Sequence, residues 1–132
     1  MEELFQQERW RVVSSSDRTG FARADADVKI RVKGESIHTA AEGVGPVDAL
    51  YVALRKALNG FYPEINELEL VDYLVHIKDS NKGTTAEVKV VLEMRRGNQN
   101  CIITKSSVNI LEASWNALVE GISNLLSVRR KE

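Results

Sequence analysis

From Ala22 to Val32 apolar and polar positions alternate without a break: Ala22, Ala24, Ala26, Val28, Ile30 and Val32 against Arg23, Asp25, Asp27, Lys29 and Arg31. A period of two over that length specifies a half-exposed antiparallel strand with one apolar face and one wet face. Its neighbours read the same way. WRVVSS at 10–15 precedes it across the turn DRTG at 17–20, and residues 36–41 follow the Lys33-Gly34-Glu35 turn as a third strand. Then the period changes. Val47, Leu50, Leu54, Leu58 and Phe61 fall three and four apart, so one stripe of a helix faces the sheet, and Asn59-Gly60 and Pro63 end it.

The second half repeats the first. Residues 68–78 form a strand with apolar side chains on both faces, and 79–83 turn the chain. Ala86, Val88, Val90, Leu92 and Met94 then alternate with Glu87, Lys89, Glu93 and Arg95, Gly97-Asn98 turns again, and 101–107 make a sixth strand. Asn109 and Glu112 stand at capping-box spacing and open a helix whose Leu111, Trp115, Leu118, Ile122 and Leu125 share one face. Two β-β-β-α units at a period of about 65 residues predict a duplicated α+β fold: two three-stranded antiparallel sheets, each with a helix. The expected organisation is a polar lead-in at 1–8, a single domain at 9–128 made of repeats of about 9–62 and 66–128, and a solvated basic tail at 129–132. Three-stranded units of this size are marginal alone. The strand at 68–77, apolar on both faces, would set one against a helix and the other against a second unit or subunit, and is read as a dimerisation surface.

Composition narrows the function. With 132 residues the chain is about half as long as a (β/α)8 barrel, so a barrel enzyme is excluded. A net charge of −1 gives no basic footprint for nucleic acid. The single Cys101 has no disulfide or zinc partner, which fits a reducing compartment, and no apolar run reaches membrane-spanning length. The cytoplasm is the expected location.

The chemistry concentrates at the first glycine turn. Gly45 sits at the N-cap position, Pro46 at the first helical position, and Asp48 in the first turn, where the helix dipole favours an acid. Free backbone N–H groups beside Gly43 and Gly45 can hold an anion such as the carboxylate of a small ligand, although the same glycines also suit a plain strand-to-helix turn. Elsewhere little stands out. His38 and His76 read as packed or solvent-facing, Cys101 as buried with no base beside it, and no donor set has metal-site spacing. No catalytic residue, metal or cofactor is expected.

EGVGPVDAL, LVDYLVHI, KGTTAEVKVVLE and SSVNILEASWNALVEGISNLL stand in a specific order. From residue 20 to 126 the chain resembles the C-terminal regulatory domain of the isopropylmalate synthase and citramalate synthase family, which condenses acetyl-CoA with a 2-oxo acid. NILEASWNAL is closer to the citramalate-synthase branch. The resemblance implies a homodimer of duplicated β-β-β-α units with no catalysis of its own. It also implies feedback inhibition by a branched-chain amino acid, isoleucine or leucine, acting on a catalytic barrel of the parent transferase. Carried over residue by residue, the effector site implied comprises Gly43, Gly45, Pro46, Val47 and Asp48 at the glycine turn, with Leu70, Tyr73 and Ile77 on the fourth strand. Thr84 and Ala86 on the fifth strand, and Ser106 and Val108 near the second helix, complete it.

One departure bears on that site. Where the family has a glycine in its sixth strand this chain has Lys105, which would crowd the pocket, point to solvent or neutralise a ligand carboxylate. Two rivals follow. One is a dimerisation module that has lost its effector. The other is a double-stranded RNA module, suggested by ALRKAL on a helix after strands and opposed by Asp48 and Glu112 at the helix starts, where phosphates would meet carboxylates.

Overall fold

The computed structural model describes residues 4–16, 18, 22–78 and 86–128. Thr84, the turn expected at 79–83, all but Arg18 of the turn at 17–20, and the tail at 129–132 lie outside the described residues. The chain order is β1 (Gln6–Ser16), β2 (Ala22–Val32), β3 (Glu35–Gly43), α1 (Pro46–Asn59), a 3-10 helix (Pro63–Glu67), β4 (Leu68–Ile77), β5 (Val88–Arg96), β6 (Gln99–Ser107) and α2 (Ile110–Val128). β1-β2-β3 and β4-β5-β6 are separate antiparallel sheets. The chain divides into two units, Met1–Asn66 and Glu67–Glu132, each a β-β-β-α unit of the kind the alternation predicts.

The duplication reaches into fine detail. Glu35 and Gln99 open the third strands and Pro46 and Ile110 open the helices, 64 positions apart in both cases. The pairing of β1 with β2 slips between Gln7 and Arg9, and that of β4 with β5 slips between Leu70 and Asp72, so each first strand carries an irregularity near its start.

One boundary differs from the sequence reading. β1 begins at Gln6 rather than Trp10, because Leu4 and Phe5 are buried and the Tyr62 hydroxyl donates to the Leu4 carbonyl at 2.9 Å, so the fold starts inside the expected lead-in. At the end of α1, Gly60 stays in right-handed conformation (φ −71°, ψ −22°), and the Phe61 and Tyr62 N–H groups both donate to the Leu58 carbonyl. α1 thus ends at Asn59, where the Asn59-Gly60 pair predicts its stop, and the 3-10 helix begins at Pro63.

In the first unit, Ala24, Ala26, Val28, Ile30 and Val32 are buried, as are Ala49, Leu50, Ala53, Leu54, Ala57 and Leu58 of α1, which lies on β2 and β3. Thr39 fixes the helix to the sheet by donating to the Ala53 carbonyl at 2.7 Å. In the second unit α2 lies across β5 and β6, and Val90, Leu92, Met94, Ile103, Trp115, Leu118 and Ile122 are buried.

The opposite face of the first sheet is polar and cross-linked. Arg11 and His38 flank Asp27 at 3.1 and 3.3 Å, Arg23 meets Glu42 at 3.1 Å, and Glu8 accepts from Ser36 at 2.9 Å and Arg31 at 3.1 Å. Partial desolvation pushes the Asp27 carboxyl up, but the hydrogen bond from His38 and the charge of Arg11 outweigh it and hold the group below the ordinary 3.8. The unfolded chain then binds that proton more readily than the folded one. Asp27 therefore contributes its full stabilisation above the ordinary aspartate range and loses it as pH falls through its lowered folded-state value. Urea denaturation of Asp27→Asn and of the parent at pH 7 and pH 3 checks this. The gap in midpoint between the two proteins should narrow at pH 3, and a constant gap would contradict the assignment.

The sequence sets one face of β4 against a helix and the other against a second unit or subunit, and on the helix side the strand is less covered than that. Leu68 is buried, but Val71, Leu74, Val75 and Ile77 are 42%, 49%, 38% and 60% exposed. α2 sits over β5 and β6, so Val75 and Ile77 stay exposed on the helix side of β4.

Candidate functional site

β3 ends at Gly43, and the next three residues deliver the chain into α1. A Cβ on Gly43 would lie 2.5 Å from the Ala49 nitrogen and 2.8 Å from its Cα, so only a glycine lets the helix start sit this close to the strand end. Gly45 is the N-cap in extended conformation and Pro46 the first helical residue, as the sequence predicts. The Gly45 carbonyl accepts the Ala49 N–H at 3.0 Å, while Asp48 turns back so that its Oδ2 accepts the Val44 N–H at 3.1 Å. Gly45 has no side chain with which to cap. Among the described residues no side chain accepts from the Val47 or Asp48 N–H.

The corresponding turn of the second unit is closed. Asn109 Oδ1 accepts the Leu111 and Glu112 N–H groups at 2.9 and 3.2 Å. The Ser107 hydroxyl accepts the Asn109 N–H at 3.0 Å and donates to Glu112 Oε1 at 2.9 Å. The capping box expected between Asn109 and Glu112 is thus half formed, with Ser107 standing where Glu112 would reach back to the Asn109 N–H. The two repeats have diverged where an anion could bind: α2 satisfies its own first-turn donors and α1 leaves its own open.

Beside the open turn lies a depression of about 410 Å3 lined by Ser14, Ser15, Ser16, Arg23, Ala24, Val44, Gly45 and Pro46. Ser14 pairs with Ala24 and Ala24 with Gly43, so a row of small residues crosses the sheet beneath it. The serines and Arg23 were not among the residues singled out from sequence. Once the two hairpins are paired, that row of small residues is the signal that finds them. Arg23 donates to Glu42 at 3.1 Å at its edge.

Gly43, Gly45, Pro46, Val47 and Asp48 come together at this turn, and of these Gly45 and Pro46 line the depression. The remaining implied residues lie in the second unit. Leu70, Tyr73 and Ile77 pair with Met94, Leu92 and Val88, which puts all three on the helix side of the sheet. The Tyr73 hydroxyl is already engaged with Ser114 Oγ at 2.8 Å, and Ser114 donates onward to the Ile110 carbonyl at 2.8 Å. Ala86 is buried just before β5, and Val108 is exposed in the link to α2. Ser106 pairs with Lys89 and so points to the opposite face from Leu70, Tyr73 and Ile77, because the strand period is two. Lys105 is held by Glu120 of α2 at 2.5 Å, which anchors its ammonium within the second unit.

His38 is exposed and paired with Asp27, and His76 is exposed. Cys101, expected to be buried, is half-buried, 3.6 Å from the Asn124 amide. Among the described residues no three His, Cys, Asp or Glu side chains are grouped to hold a metal, and no helix is long and apolar enough to cross a membrane.

Removing the Asp48 carboxylate takes away the acceptor of the Val44 N–H and the favourable charge at the α1 N-terminus. Asp48→Ala is expected to lower stability by about 1 kcal/mol. A urea midpoint unchanged from the parent would show that the turn holds without it.

The family model of the LeuA allosteric (dimerisation) domain matches residues 1–126. The chain is 44% identical over 84% of its length to an (R)-citramalate synthase of Synechocystis sp., covering 20% of that protein. Similarity to the (R)-citramalate synthases of Aquifex aeolicus (39% identity, 92% of this chain, 23% of the relative) and Sulfolobus acidocaldarius (35%, 97% and 23%) is of the same kind. The chain thus spans about a fifth of the length of the curated relatives it matches.

Proposed function

The chain belongs to the LeuA allosteric (dimerisation) domain family, and from that premise we propose that it binds isoleucine or leucine as the feedback inhibitor of a citramalate synthase. The proposed parent is an acetyl-CoA-dependent cytoplasmic transferase whose catalytic barrel this domain restrains, with no catalysis by the domain itself. The observation that carries the reading is the difference between the two helix starts. α2 caps its first-turn N–H groups with Asn109, whereas the Val47 and Asp48 N–H groups of α1 are left for an incoming carboxylate beside the depression.

Gly43, Gly45 and Pro46 keep that approach clear, and Asp48 Oδ1 or a strand carbonyl would accept from the ligand's ammonium. Leu70, Tyr73 and Ile77, in the second unit, are proposed as effector-site residues on family resemblance alone. Selection between isoleucine and leucine would rest on about 1–3 kcal/mol of shape fit. Lys105 pairs with Val90 on the helix side of the sheet, and its exposed ion pair with Glu120 directs its ammonium toward α2. The partner proposed for the exposed apolar residues of β4 is a second copy of the chain.

Calorimetric titration with isoleucine, leucine and their methyl esters tests the reading. One free amino acid should bind at least about tenfold more tightly than its ester, since the ester cannot present a carboxylate to the helix start. No heat with any of them at millimolar concentration would leave a dimerisation scaffold without an effector.

A further inference from the structure

Along α1, Val52, Arg55, Lys56 and Asn59 fall at i, i+3, i+4 and i+7 and share one flank of the helix. With Asn66 of the 3-10 helix they line a cavity of about 210 Å3 in the first unit. The lining holds two cations and two amides and no carboxylate. The Arg55 guanidinium lies over the Tyr51 ring, 5.4 Å from its centre, which restrains its plane. Its Nε is buried and has no hydrogen-bond partner among the described residues.

The other polar groups are partly spent. Lys56 donates one N–H to the Ala40 carbonyl at 2.5 Å, which anchors the ammonium and leaves it two donors. The Asn66 amide donates to Asn59 Oδ1 at 2.6 Å and to the Pro63 carbonyl at 3.2 Å. The Asn59 amide nitrogen keeps its donors. Remaining capacity is therefore donor on Arg55, Lys56 and Asn59, with Asn66 Oδ1 as an acceptor.

Donors on a net positive lining, with an acceptor for one proton, complement an oxyanion. We propose that this cavity binds a small oxyanion, a carboxylate or a phosphate, on the Nη groups of the Arg55 guanidinium with Lys56 and Asn59 alongside. Tyr51 holds the guanidinium ready, so little ordering remains when the anion arrives.

The test uses the 15N-labelled full chain with no amino acid present, so its result is independent of the effector reading. Sodium phosphate and, separately, sodium succinate are titrated at constant ionic strength held with chloride. The Arg55 Nε–H resonance is followed, assigned by its loss in Arg55→Lys. A saturable displacement by either anion is expected, with affinity about tenfold weaker in Arg55→Gln when read on the Asn59 amide. A response to phosphate alone assigns a phosphate ligand, and a response to succinate alone a carboxylate. If Arg55→Gln fails to fold, Arg55→Lys takes its place, because it keeps the charge and loses the guanidinium. No saturable displacement by either anion, or a folded Arg55 variant that binds as the parent does, overturns the proposal.

Discussion

Gly43→Ala is expected to destabilise the first unit by about 3 kcal/mol and to weaken effector binding with it. The added methyl would sit 2.5 Å from the Ala49 nitrogen and 2.8 Å from its Cα, and these are backbone atoms of the α1 first turn that no rotamer change can move. The helix must back away from β3. That movement loosens the packing at Ala49 and Leu50 and displaces the Val47 and Asp48 N–H groups that the reading gives to the ligand carboxylate. Gly121→Ala is the control. There the close atom is Met94 Sδ at 2.7 Å, a side-chain atom of the buried core that must shift, and that cost offsets the gain of about 1 kcal/mol that alanine has over glycine inside a helix. Chemical denaturation should separate the two variants clearly, and equal midpoints for Gly43→Ala and the parent would contradict the close-approach argument.

Trp115→Ala should be the most damaging single truncation, at about 3–5 kcal/mol. Trp115 is fully buried on α2, in the same unit as Leu92, Met94, Leu118 and Ile122. Stability totals for whole domains run to about 5–15 kcal/mol, so a loss of that size consumes much of what a small unit has. The chain has two tryptophans, one in each unit, so Trp10 fluorescence reports on the first unit in this variant. Backbone amide spectra should lose dispersion across 67–132. A variant melting within about 1 kcal/mol of the parent would remove Trp115 from the core.

The duplicated fold was legible in the sequence because both repeats obey the same two periods, two along β2 and β5 and three to four along α1 and α2. Helix starts were legible for the same kind of reason: Gly45-Pro46 and Asn109 are punctuation that acts locally. What depended on pairing was not. The apolar pattern of β4 states that its side chains favour burial, but not that α2 would settle on β5 and β6 and leave Val75 and Ile77 exposed on its side of the sheet. Ser106 was grouped with Leu70 and Tyr73 by family position, and the register with Lys89 turns it to the other face. The expected lead-in failed because Leu4 and Phe5, an apolar pair in a polar stretch, find a buried place that composition averages away. At the candidate site the glycine turn could be read from its residues, while Ser14, Ser15, Ser16 and Arg23 reach it only through the alignment of three strands.

The most direct test is the melting temperature of the purified chain against each of the twenty amino acids at millimolar concentration, since a ligand that binds the folded state alone raises it. A selective rise with isoleucine or leucine, absent in Gly43→Ala, is the expected result. A melting temperature that none of the twenty moves would contradict the effector reading.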